Sequence, residues 1–395
     1  MLQVMWDACG VKVLLTASPG RGHIHPMVPL AHALLDRGDE VLWVTGADEC
    51  ARLERDGFRA APAGLGEREA MAELMRRFPE IHDMPPSETA DFMFPRLFGT
   101  VRPETMIADL MPIARAWSPT LVVSEQAELA GPIAAASLGV PNVCHAFGSL
   151  LPAPRIEAAS ERVAPLWIEH DLEPRSFGGC YEHLYLNIYP ASLQVSDGAH
   201  IPTIQDLRPG NSATSGDEHL PDWVTATSAT ALVYVTFGTV FSNDAALSAI
   251  IEALRELPVS VVVTVGPHGD PSALGAQPEN IHVAKYIPQD QLLPHCAAVI
   301  SHAGSGTFLA ALGAGLPQLC VPQAADQFMN SGACARSGTG LALQPAEVSV
   351  AGVRSAVDRL LNEASFRTAA EQVSREIASM PSSHDVVDRL HRDFG

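Results

Sequence analysis

Short apolar runs alternate with segments of helical periodicity along the first half of the chain. The run V-K-V-L-L-T at 11–16 precedes a segment from about Pro26 to Arg37 in which apolar residues recur every three or four positions. The runs at 40–45 and 120–124 are likewise followed by segments of helical character. Buried strands that alternate with amphipathic helices predict βαβ units on a parallel sheet.

The second half of the chain repeats this alternation. Its apolar runs lie at 231–237, 259–265, 297–301 and 317–322. The stretch 201–223 between the two halves is rich in Pro, Gly, Ser and Asp, a composition typical of a linker. We therefore predict an α/β protein with two doubly wound domains and a ligand cleft between them, outside the carboxyl ends of the strands.

The charge of the chain narrows the classes of function. The 395 residues carry a net charge of −20, and Lys12 and Lys285 are the only lysines. Such an acidic surface repels nucleic acid and anionic membranes, so neither is expected as a partner. Because it also repels nucleotides, a phosphate site must use backbone N–H groups and helix N-termini instead of a basic patch.

The cysteines and the chain start bear on the cellular compartment. The seven cysteines are scattered, and no CxxC pair occurs. The N-terminus lacks the basic and apolar regions of a secretion signal, and no apolar run has the length of a membrane helix. These features predict a cytoplasmic protein with reduced thiols.

Residues 65–117 differ from the rest of the chain in their concentration of methionine and phenylalanine. Core packing accounts for some of these residues. The segment also lies where long insertions after strands border the predicted cleft, and adaptable apolar side chains there suit a large hydrophobic ligand. The residues that we predict to contact this ligand are Met75, Phe78, Phe92 and Phe94.

The loop S-P-G-R-G-H-I-H-P at 18–26 follows the first predicted strand. Its first part approaches the dinucleotide pattern G-x-G-x-x-G, but His25 takes the place of the third small residue. Zinc binding by His23 and His25 would need a third ligand at a coherent spacing, and the other histidines are dispersed. The pattern therefore argues against a dinucleotide fingerprint and a metal site, and it favours a turn-capping role for His25.

A second glycine-containing turn, S-H-A-G-S-G-T at 301–307, lies between a predicted strand and a predicted helix at 306–314. Its small residues leave the N–H groups of a helix N-terminus open to a pyrophosphate. The turn is not a Walker loop, because no lysine follows it. It is not a nucleophile elbow either, because Ala303 breaks the pattern G-x-S-x-G.

The segments around this turn extend the pattern. K-Y-I-P-Q-D-Q lies at 285–291, V-P-Q-A-A-D-Q at 321–327, V-Y-V-T-F-G-T at 233–239 and G-H-I-H-P at 22–26. In this order and spacing the sequence resembles the family-one glycosyltransferases over nearly its whole length. The likeness is strongest to actinomycete natural-product enzymes such as the calicheamicin glycosyltransferases. It implies the GT-B fold, in which two Rossmann-like domains face each other across a cleft.

The resemblance also implies how the chain is divided. An acceptor-binding domain is expected at 1–205, a linker at 206–222 and a nucleotide-sugar-binding domain at 223–377. The remaining residues, from about 378 to 395, are expected to form a helix that packs back onto the first domain. A break in helical spacing at Met380-Pro381 agrees with this division.

The resemblance implies catalytic roles for two residues. In the family, the histidine of G-H-x-x-P is the general base, and here it is His23. An imidazole suits this role because its pKa lies near working pH, so it can take a proton from an acceptor hydroxyl. The oxygen then displaces the nucleotide and inverts the anomeric carbon. An acidic partner of this histidine often follows the fourth strand of the family, and the matching residue is Glu125.

The resemblance likewise implies a set of donor-binding residues. His302 and the N–H groups after it are expected to hold the diphosphate, Tyr286 to stack on the base, and Asp326 and Gln327 to contact sugar hydroxyls. The complete expected set is Gly238, Thr239, Tyr286, Ile287, Gln289, His302, Gly304, Ser305, Gly306, Thr307, Asp326 and Gln327.

One departure from the family pattern bears on the nucleotide. Enzymes of the family that use UDP-sugars commonly have a glutamate on the helix after the H-x-G turn, where it binds the ribose hydroxyls. The matching residue here is Ala310. A buried carboxylate that faces a deoxyribose would lose a hydrogen bond, at a cost on the order of 1–3 kcal/mol. The alanine therefore favours a dTDP-sugar, with a UDP-sugar as the alternative.

The resemblance predicts an inverting glycosyltransferase that moves a deoxysugar from dTDP to a hydroxyl of an apolar polyketide or aromatic aglycone. The expected partners are these two small molecules, with no cofactor or metal, and the chain is expected to be a monomer or homodimer. A sugar-nucleotide epimerase would need further acid–base carboxylates, and an inactive nucleotide-binding helper would not need His23. A dehydrogenase is disfavoured by the broken glycine pattern.

Overall fold

The computed structural model describes residues 10–84, 86–210, 220–221, 223–224, 230–237, 244–266 and 269–395. These residues divide into two compact α/β units. The first unit runs up to Ile188 and includes Ser196–Leu207 and Pro381–Gly395, and the second comprises Tyr189–Val195 and Arg208–Met380. Of the predicted linker at 206–222, residues 211–219 and 222 lie outside the described residues.

The first unit is built on a parallel sheet. Its strands are β1 (Lys12–Thr16), β2 (Glu40–Thr45), β3 (Arg59–Pro62), β4 (Leu121–Glu125), β5 (Asn142–His145), β6 (Leu184–Asn187) and β7 (Ile204–Asp206). They are arranged in the order β3-β2-β1-β4-β5-β6-β7. The central strands are buried along almost their whole length, which explains why they appear in the sequence as continuous apolar runs.

The second unit has its own parallel sheet. Its strands are β8 (Ala231–Thr236), β9 (Val259–Thr264), β10 (Ile281–Ala284), β11 (Ala298–Ser301), β12 (Gln318–Cys320) and β13 (Gly340–Ala342). They follow the order β10-β9-β8-β11-β12-β13. Each predicted apolar run matches one strand, with ends that agree to within two residues, whereas β6, β7, β10 and β13 correspond to no predicted run.

Helices connect the strands of both sheets. They are α1 (Arg21–Ile24), α2 (Val28–Arg37), α3 (Ala47–Arg55), α4 (Glu67–Arg77), α5 (Pro86–Arg96), α6 (Arg102–Trp117), α7 (Ala130–Leu138), α8 (Ala153–Glu169), α9 (Asp244–Leu254), α10 (Gln289–Leu292), α11 (Ser305–Gly313), α12 (Gln327–Ser337), α13 (Val350–Asn362), α14 (Ala364–Ser379) and α15 (Ser383–Phe394). Among the described residues, no helix combines the length and apolarity that a membrane crossing requires.

Each sheet has a topological switch point at its centre. In the first sheet β1 lies beside β4, with Thr16 opposite Ser124, and the later strands extend outward on either side. In the second sheet β8 lies beside β11, with Thr236 opposite Ser301. Ligands of open α/β sheets bind outside the carboxyl ends of such strands, because the connecting loops diverge there. The loops after β1, β4 and β11 are therefore the expected ligand-binding segments.

The helical path after β1 begins earlier than the sequence pattern predicts. The predicted helix starts at Pro26, whereas the chain already forms α1 and a 3-10 turn, His25–Met27, before α2. Pro26 and Pro29 have no amide hydrogen, so the α-helical hydrogen bonds that their amides would donate are missing. Helix α2 ends at Arg37 and is followed by Gly38, whose φ of 96° lies in the left-handed region that glycine adopts without strain.

The methionine- and phenylalanine-rich insertion is helical. It comprises α4, α5 and α6, with a π-helical turn at Leu97–Val101 between the last two. The insertion has a small hydrophobic core of its own, which we call the insertion cluster. Its buried members are Ala70, Leu74, Ile81, Leu97 and Val101.

The last helix of the chain, α15, packs against α2 in the first unit. The apolar face of α15 is buried through Val386, Val387 and Leu390. The Nε2 atom of His391 lies 2.7 Å from Oδ2 of the buried Asp39, directly after α2. The end of the chain therefore supports the helix that follows the His23 loop.

Candidate functional site

The loop after β1 and the end of β4 bring two predicted catalytic residues together in the first unit. His23 lies in the short helix α1, and Glu125 is the last residue of β4. The Nδ1 atom of His23 is 3.0 Å from Oε2 of Glu125, although the two groups are not aligned for a hydrogen bond. A glutamate at this position thus reaches the imidazole.

The turn after β4 holds the Glu125 carboxylate in place. The side chain is fully buried, and its Oε1 accepts a hydrogen bond from the backbone N–H of Ala127 at 2.7 Å. The neighbouring Gln126 bonds to the hydroxyl groups of Tyr181 and Tyr185 at 3.2 and 2.9 Å. One carboxylate oxygen is therefore bound to the backbone, and the other faces His23.

A second buried carboxylate lies three residues further along. Glu128 accepts hydrogen bonds from the backbone N–H groups of Ala130 and Gly131, both at 2.8 Å, at the start of α7. Burial raises the pKa of Glu128 above the usual range of a glutamate, although these hydrogen bonds act in the opposite direction. Glu128 thus binds the first N–H groups of α7, which begins five residues after Glu125.

Two phenylalanine rings flank the imidazole of His23. The ring centroids of Phe98 and Phe147 lie 5.6 and 5.0 Å from that of His23. The predicted acceptor residue Phe94 contacts Phe98, with centroids 4.8 Å apart. His23 keeps 20% of its side chain exposed, so part of the ring stays accessible between apolar walls.

The other three predicted acceptor residues belong to the insertion cluster. Met75, Phe78 and Phe92 are partly buried and pack against its core. The guanidinium carbon of Arg96 lies 3.3 Å from the ring centroid of Phe92 and 5.3 Å from that of Phe78. The rings of Phe78 and Phe92 therefore make cation–π contacts with the Arg96 side chain inside the insertion. Phe94, in contrast, contacts Phe98, which flanks His23.

The second histidine of the loop has a different environment from His23. Burial, together with the positive charges of Arg52 and Arg21, lowers the pKa of His25 to about 4. At neutral pH the His25 imidazole is therefore uncharged and a much weaker base than an ordinary histidine. This agrees with a structural role for His25.

In the second unit, a network of side chains holds the turn after β11. Ala303 adopts a positive φ of 64°, which an alanine side chain disfavours. The amide nitrogen of Asn330 donates to the carbonyl of Ala303 at 2.9 Å, and the hydroxyl of Tyr189 donates to Oδ1 of Asn330 at 2.9 Å. A strained backbone that its surroundings maintain is common at ligand-binding sites.

His302 and Gly304 depend on each other sterically. A Cβ atom at Gly304 would lie 2.5 Å from Nε2 of His302, so the imidazole occupies the space that any other residue would fill. Burial lowers the pKa of His302, and the negative charge of Asp326 opposes this shift. The turn therefore presents a mostly neutral imidazole next to the N-terminus of α11.

The predicted sugar-binding pair is tied to the same turn. Oδ2 of Asp326 accepts hydrogen bonds from the hydroxyl of Ser305 at 2.6 Å and from its backbone N–H at 3.3 Å. The Ser305 N–H thus faces a carboxylate in this structure. Oε1 of Gln327 accepts from the backbone N–H groups of Gln323 and Ala324 at 2.7 and 3.0 Å.

The remaining predicted donor residues lie on two segments of the second unit. Tyr286 keeps 40% of its surface exposed, whereas Ile287 is buried in the core. The amide nitrogen of Gln289 is buried without a hydrogen-bond partner among the described residues. Gly306 has open space where a Cβ would be, and Thr307 is half-buried on α11. The predicted pair Gly238 and Thr239 lies outside the described residues.

Comparison with known proteins decides the family of the chain. Residues 88–238 and 248–392 match the N-terminal and C-terminal domains of the family described as erythromycin biosynthesis protein CIII-like. The elloramycin glycosyltransferase ElmGT of Streptomyces olivaceus is 32% identical over 414 residues, covering 98% of this chain and 98% of that protein. The chain belongs to the EryCIII-like family-one glycosyltransferases.

Solved structures of similar enzymes confirm the fold of this glycosyltransferase. The spinosyn rhamnosyltransferase SpnG aligns with a TM-score of 0.83 and 26% identity over 97% of this chain and 100% of that chain. The glycosyltransferase VinC in complex with dTDP aligns with a TM-score of 0.79 and 26% identity over 97% and 99%. The expected GT-B architecture of two Rossmann-like domains and the expected enzyme class are both confirmed.

Sequence reasoning did not predict which side chains surround His23 in this glycosyltransferase. Phe98 and Phe147 flank His23, and Glu128 is buried three residues after Glu125. A signal for Glu128 was present in the spacing E-x-x-E directly after a predicted strand. Phe147 had a weaker signal, because it follows the strand next to the switch point by two residues.

We expect the contribution of two buried histidines to the free energy of unfolding of this glycosyltransferase to fall as pH drops from about 6.5 to 4. Burial lowers the pKa of both His25 and His145 to about 4, so the unfolded chain takes up these protons at higher pH than the folded protein. The stability that each uncharged histidine contributes to the folded protein is fully present above pH 6.5. By pH 4, on the order of 3 kcal/mol of this contribution is lost for each histidine. Urea unfolding at several pH values measures the effect.

Substitution of His145 isolates its part of this pH dependence. His145→Asn removes the titrating ring but keeps a donor for the Ala146 carbonyl, which lies 2.6 Å from Nδ1. The variant should lose less stability than the wild type between pH 6.5 and 4.5. The exposed His295→Asn serves as the matched control and should keep the wild-type slope. Equal slopes for wild type and His145→Asn would contradict the prediction.

Proposed function

We propose that this glycosyltransferase moves a deoxysugar from a dTDP-sugar to a hydroxyl group of an apolar polyketide or aromatic aglycone, with inversion at the anomeric carbon. The observation that carries the proposal is the approach of His23 Nδ1 to Glu125 Oε2 at 3.0 Å, at the switch point of the first sheet. A histidine next to a buried carboxylate is the usual arrangement of a general base.

In the proposed reaction, His23 acts through the nitrogen that does not face Glu125. Its Nε2 takes the proton of the acceptor hydroxyl, and the oxygen attacks the anomeric carbon from the face opposite the leaving group. The bond between the sugar and the dTDP oxygen breaks, and dTDP leaves with the electron pair. Glu125 stabilises the imidazolium that forms, and a single displacement inverts the configuration.

The proposed donor site lies on the second unit. His302 and the N–H groups of Gly304, Gly306 and Thr307 bind the diphosphate, since a helix N-terminus attracts negative charge. The free oxygen of Asp326 and the amide nitrogen of Gln327 contact sugar hydroxyls. The exposed ring of Tyr286 stacks on the base beside Ile287 and Gln289. The proposal includes no metal ion or cofactor.

Two observations support dTDP over UDP. Ala310 packs against the core of the second unit and carries no carboxylate that could bind a ribose 2′-hydroxyl. The similar enzyme VinC has been solved in complex with dTDP.

The apolar walls of Phe98 and Phe147 support an apolar acceptor, as do the names of the relatives, which refer to elloramycin and spinosyn.

A donor comparison tests the proposal. The enzyme is incubated with dTDP-rhamnose or UDP-rhamnose, which carry the same 6-deoxysugar, and a hydroxylated anthraquinone, and the products are identified by mass spectrometry. We expect acceptor-dependent release of dTDP, a glycosylated product and a slower reaction with the UDP donor. Isomerised donor in the absence of acceptor would instead identify an epimerase, and equal rates with both donors would remove the argument from Ala310.

A further inference from the structure

An arginine is buried in the first unit with most of its hydrogen-bonding capacity unused. Arg102 is the first residue of α6, and only 7% of its side chain is exposed. Its Nη2 donates to Oε2 of Glu67 at 2.5 Å. The Nε and Nη1 atoms are buried and have no hydrogen-bond partner among the described residues.

One aromatic ring, that of Phe98, connects this arginine to His23. The guanidinium carbon of Arg102 is 5.5 Å from the ring centroid of Phe98, which in turn flanks His23. The carboxylate that binds Arg102 is also close to the base. A Cβ atom added to Gly20 would lie 3.6 Å from Oε2 of Glu67 and 3.7 Å from Cδ2 of His23. Both side chains therefore approach the same side of Gly20. Arg102, Glu67 and His23 therefore border the same small region.

The Arg102 donors that lack a hydrogen-bond partner lower the stability of the folded protein, because they are buried. A guanidinium presents five N–H donors and cannot lose its charge, and a buried donor without a partner costs free energy. Glu67 satisfies one edge of the group, and its own side chain is 40% exposed. A ligand oxygen that reaches Nε or Nη1 would remove this cost, and an ionised oxygen would gain most from the charge.

We propose that Arg102 binds an ionised oxygen of the aglycone, such as a carboxylate, while the reacting hydroxyl of the same molecule faces His23. This inference rests on the proposed function, since it names the chemistry of the acceptor in the same site. In a chain with a net charge of −20, an anionic acceptor needs such a local cation to bind. Arg102 is thus a specificity-determining residue of the acceptor site.

Calorimetric titration with two acceptor analogues tests the proposal without glycosyl transfer. The probes are 2-naphthoate and 2-naphthamide, which have the same ring and differ in the charge of the substituent. Wild-type enzyme should bind the naphthoate about ten- to hundredfold more tightly, the usual effect of one charge-assisted hydrogen bond. Arg102→Met should lower this preference to about twofold or less, while dTDP affinity stays unchanged.

Arg77→Met is the matched control, because Arg77 lies in the same insertion and is paired with both Glu73 and Glu104. It removes the same charge and should keep the wild-type preference. Equal binding of both probes by wild type, or an unchanged preference in Arg102→Met, would overturn the proposal. A loss of dTDP binding in Arg102→Met would also overturn it and would assign the arginine to the donor.

Glu67→Gln provides a test that does not depend on the folding of the arginine variant. Without its anionic partner, Arg102 is more available, so naphthoate should bind several-fold more tightly than to wild type. Weaker or unchanged naphthoate binding would contradict the proposal. The outcome is separate from that of the proposed function, because an enzyme that fails to transfer sugar can still show the naphthoate preference.

Discussion

His23→Ala should reduce the rate of glycosyl transfer by about 10²- to 10⁴-fold, the usual contribution of a general base. The imidazole lies 3.0 Å from the buried Glu125 carboxylate and is flanked by Phe98 and Phe147. The alanine side chain cannot take the proton from the acceptor hydroxyl as the oxygen attacks. Single-turnover measurements with saturating donor and acceptor would measure the rate of the chemical step.

Two further measurements make this result specific to His23. The affinity for dTDP should stay within a few-fold, since the proposed nucleotide contacts lie on the second unit. His25→Ala should reduce the rate far less, because burial and the charges of Arg52 and Arg21 make His25 a weak base. A near-normal rate in His23→Ala would refute the base assignment, and an equal loss in His25→Ala would show that the wrong histidine was chosen.

Gly304→Ala should weaken dTDP binding by about ten- to hundredfold, which corresponds to the loss of a strong hydrogen bond. The added methyl group would lie 2.5 Å from Nε2 of His302, so the imidazole must rotate away from the diphosphate. The N–H of residue 304 is retained, and its φ of −61° is one that alanine adopts freely. The variant should therefore fold, and calorimetric titration with dTDP measures the loss.

Gly313→Ala is the control, because it adds the same methyl group to the other end of α11, where nothing lies within 4 Å. It should bind dTDP normally and gain about 0.5–1 kcal/mol of stability from the replacement of a helical glycine. The double variant His302→Ala/Gly304→Ala should bind dTDP no more weakly than His302→Ala alone. If Gly304→Ala bound dTDP as tightly as Gly313→Ala, His302 would not be a ligand of the nucleotide.

The sequence by itself determined the two-sheet α/β architecture and the position of each predicted strand. Continuous apolar runs and helical periodicity are local signals, because they record which face of each element is buried. The motifs around His23 and His302 also indicated the family, since their order and spacing are properties of the chain alone. The starts of helices were less predictable. The pattern predicted a helix that starts at Pro26, whereas the helical path begins at Arg21. Turns of several kinds are built from the same residue types, so the sequence does not distinguish them.

Only the tertiary structure decided which side chains meet. Phe147 flanks His23 because β5 is next to β4 in the sheet, and no local pattern encodes that order. The same holds for Arg102, whose contact with Glu67 joins the start of α4 to the start of α6. The physical reason is that backbone preferences act over a few residues, whereas strand order and side-chain rotamers are set by packing between distant segments.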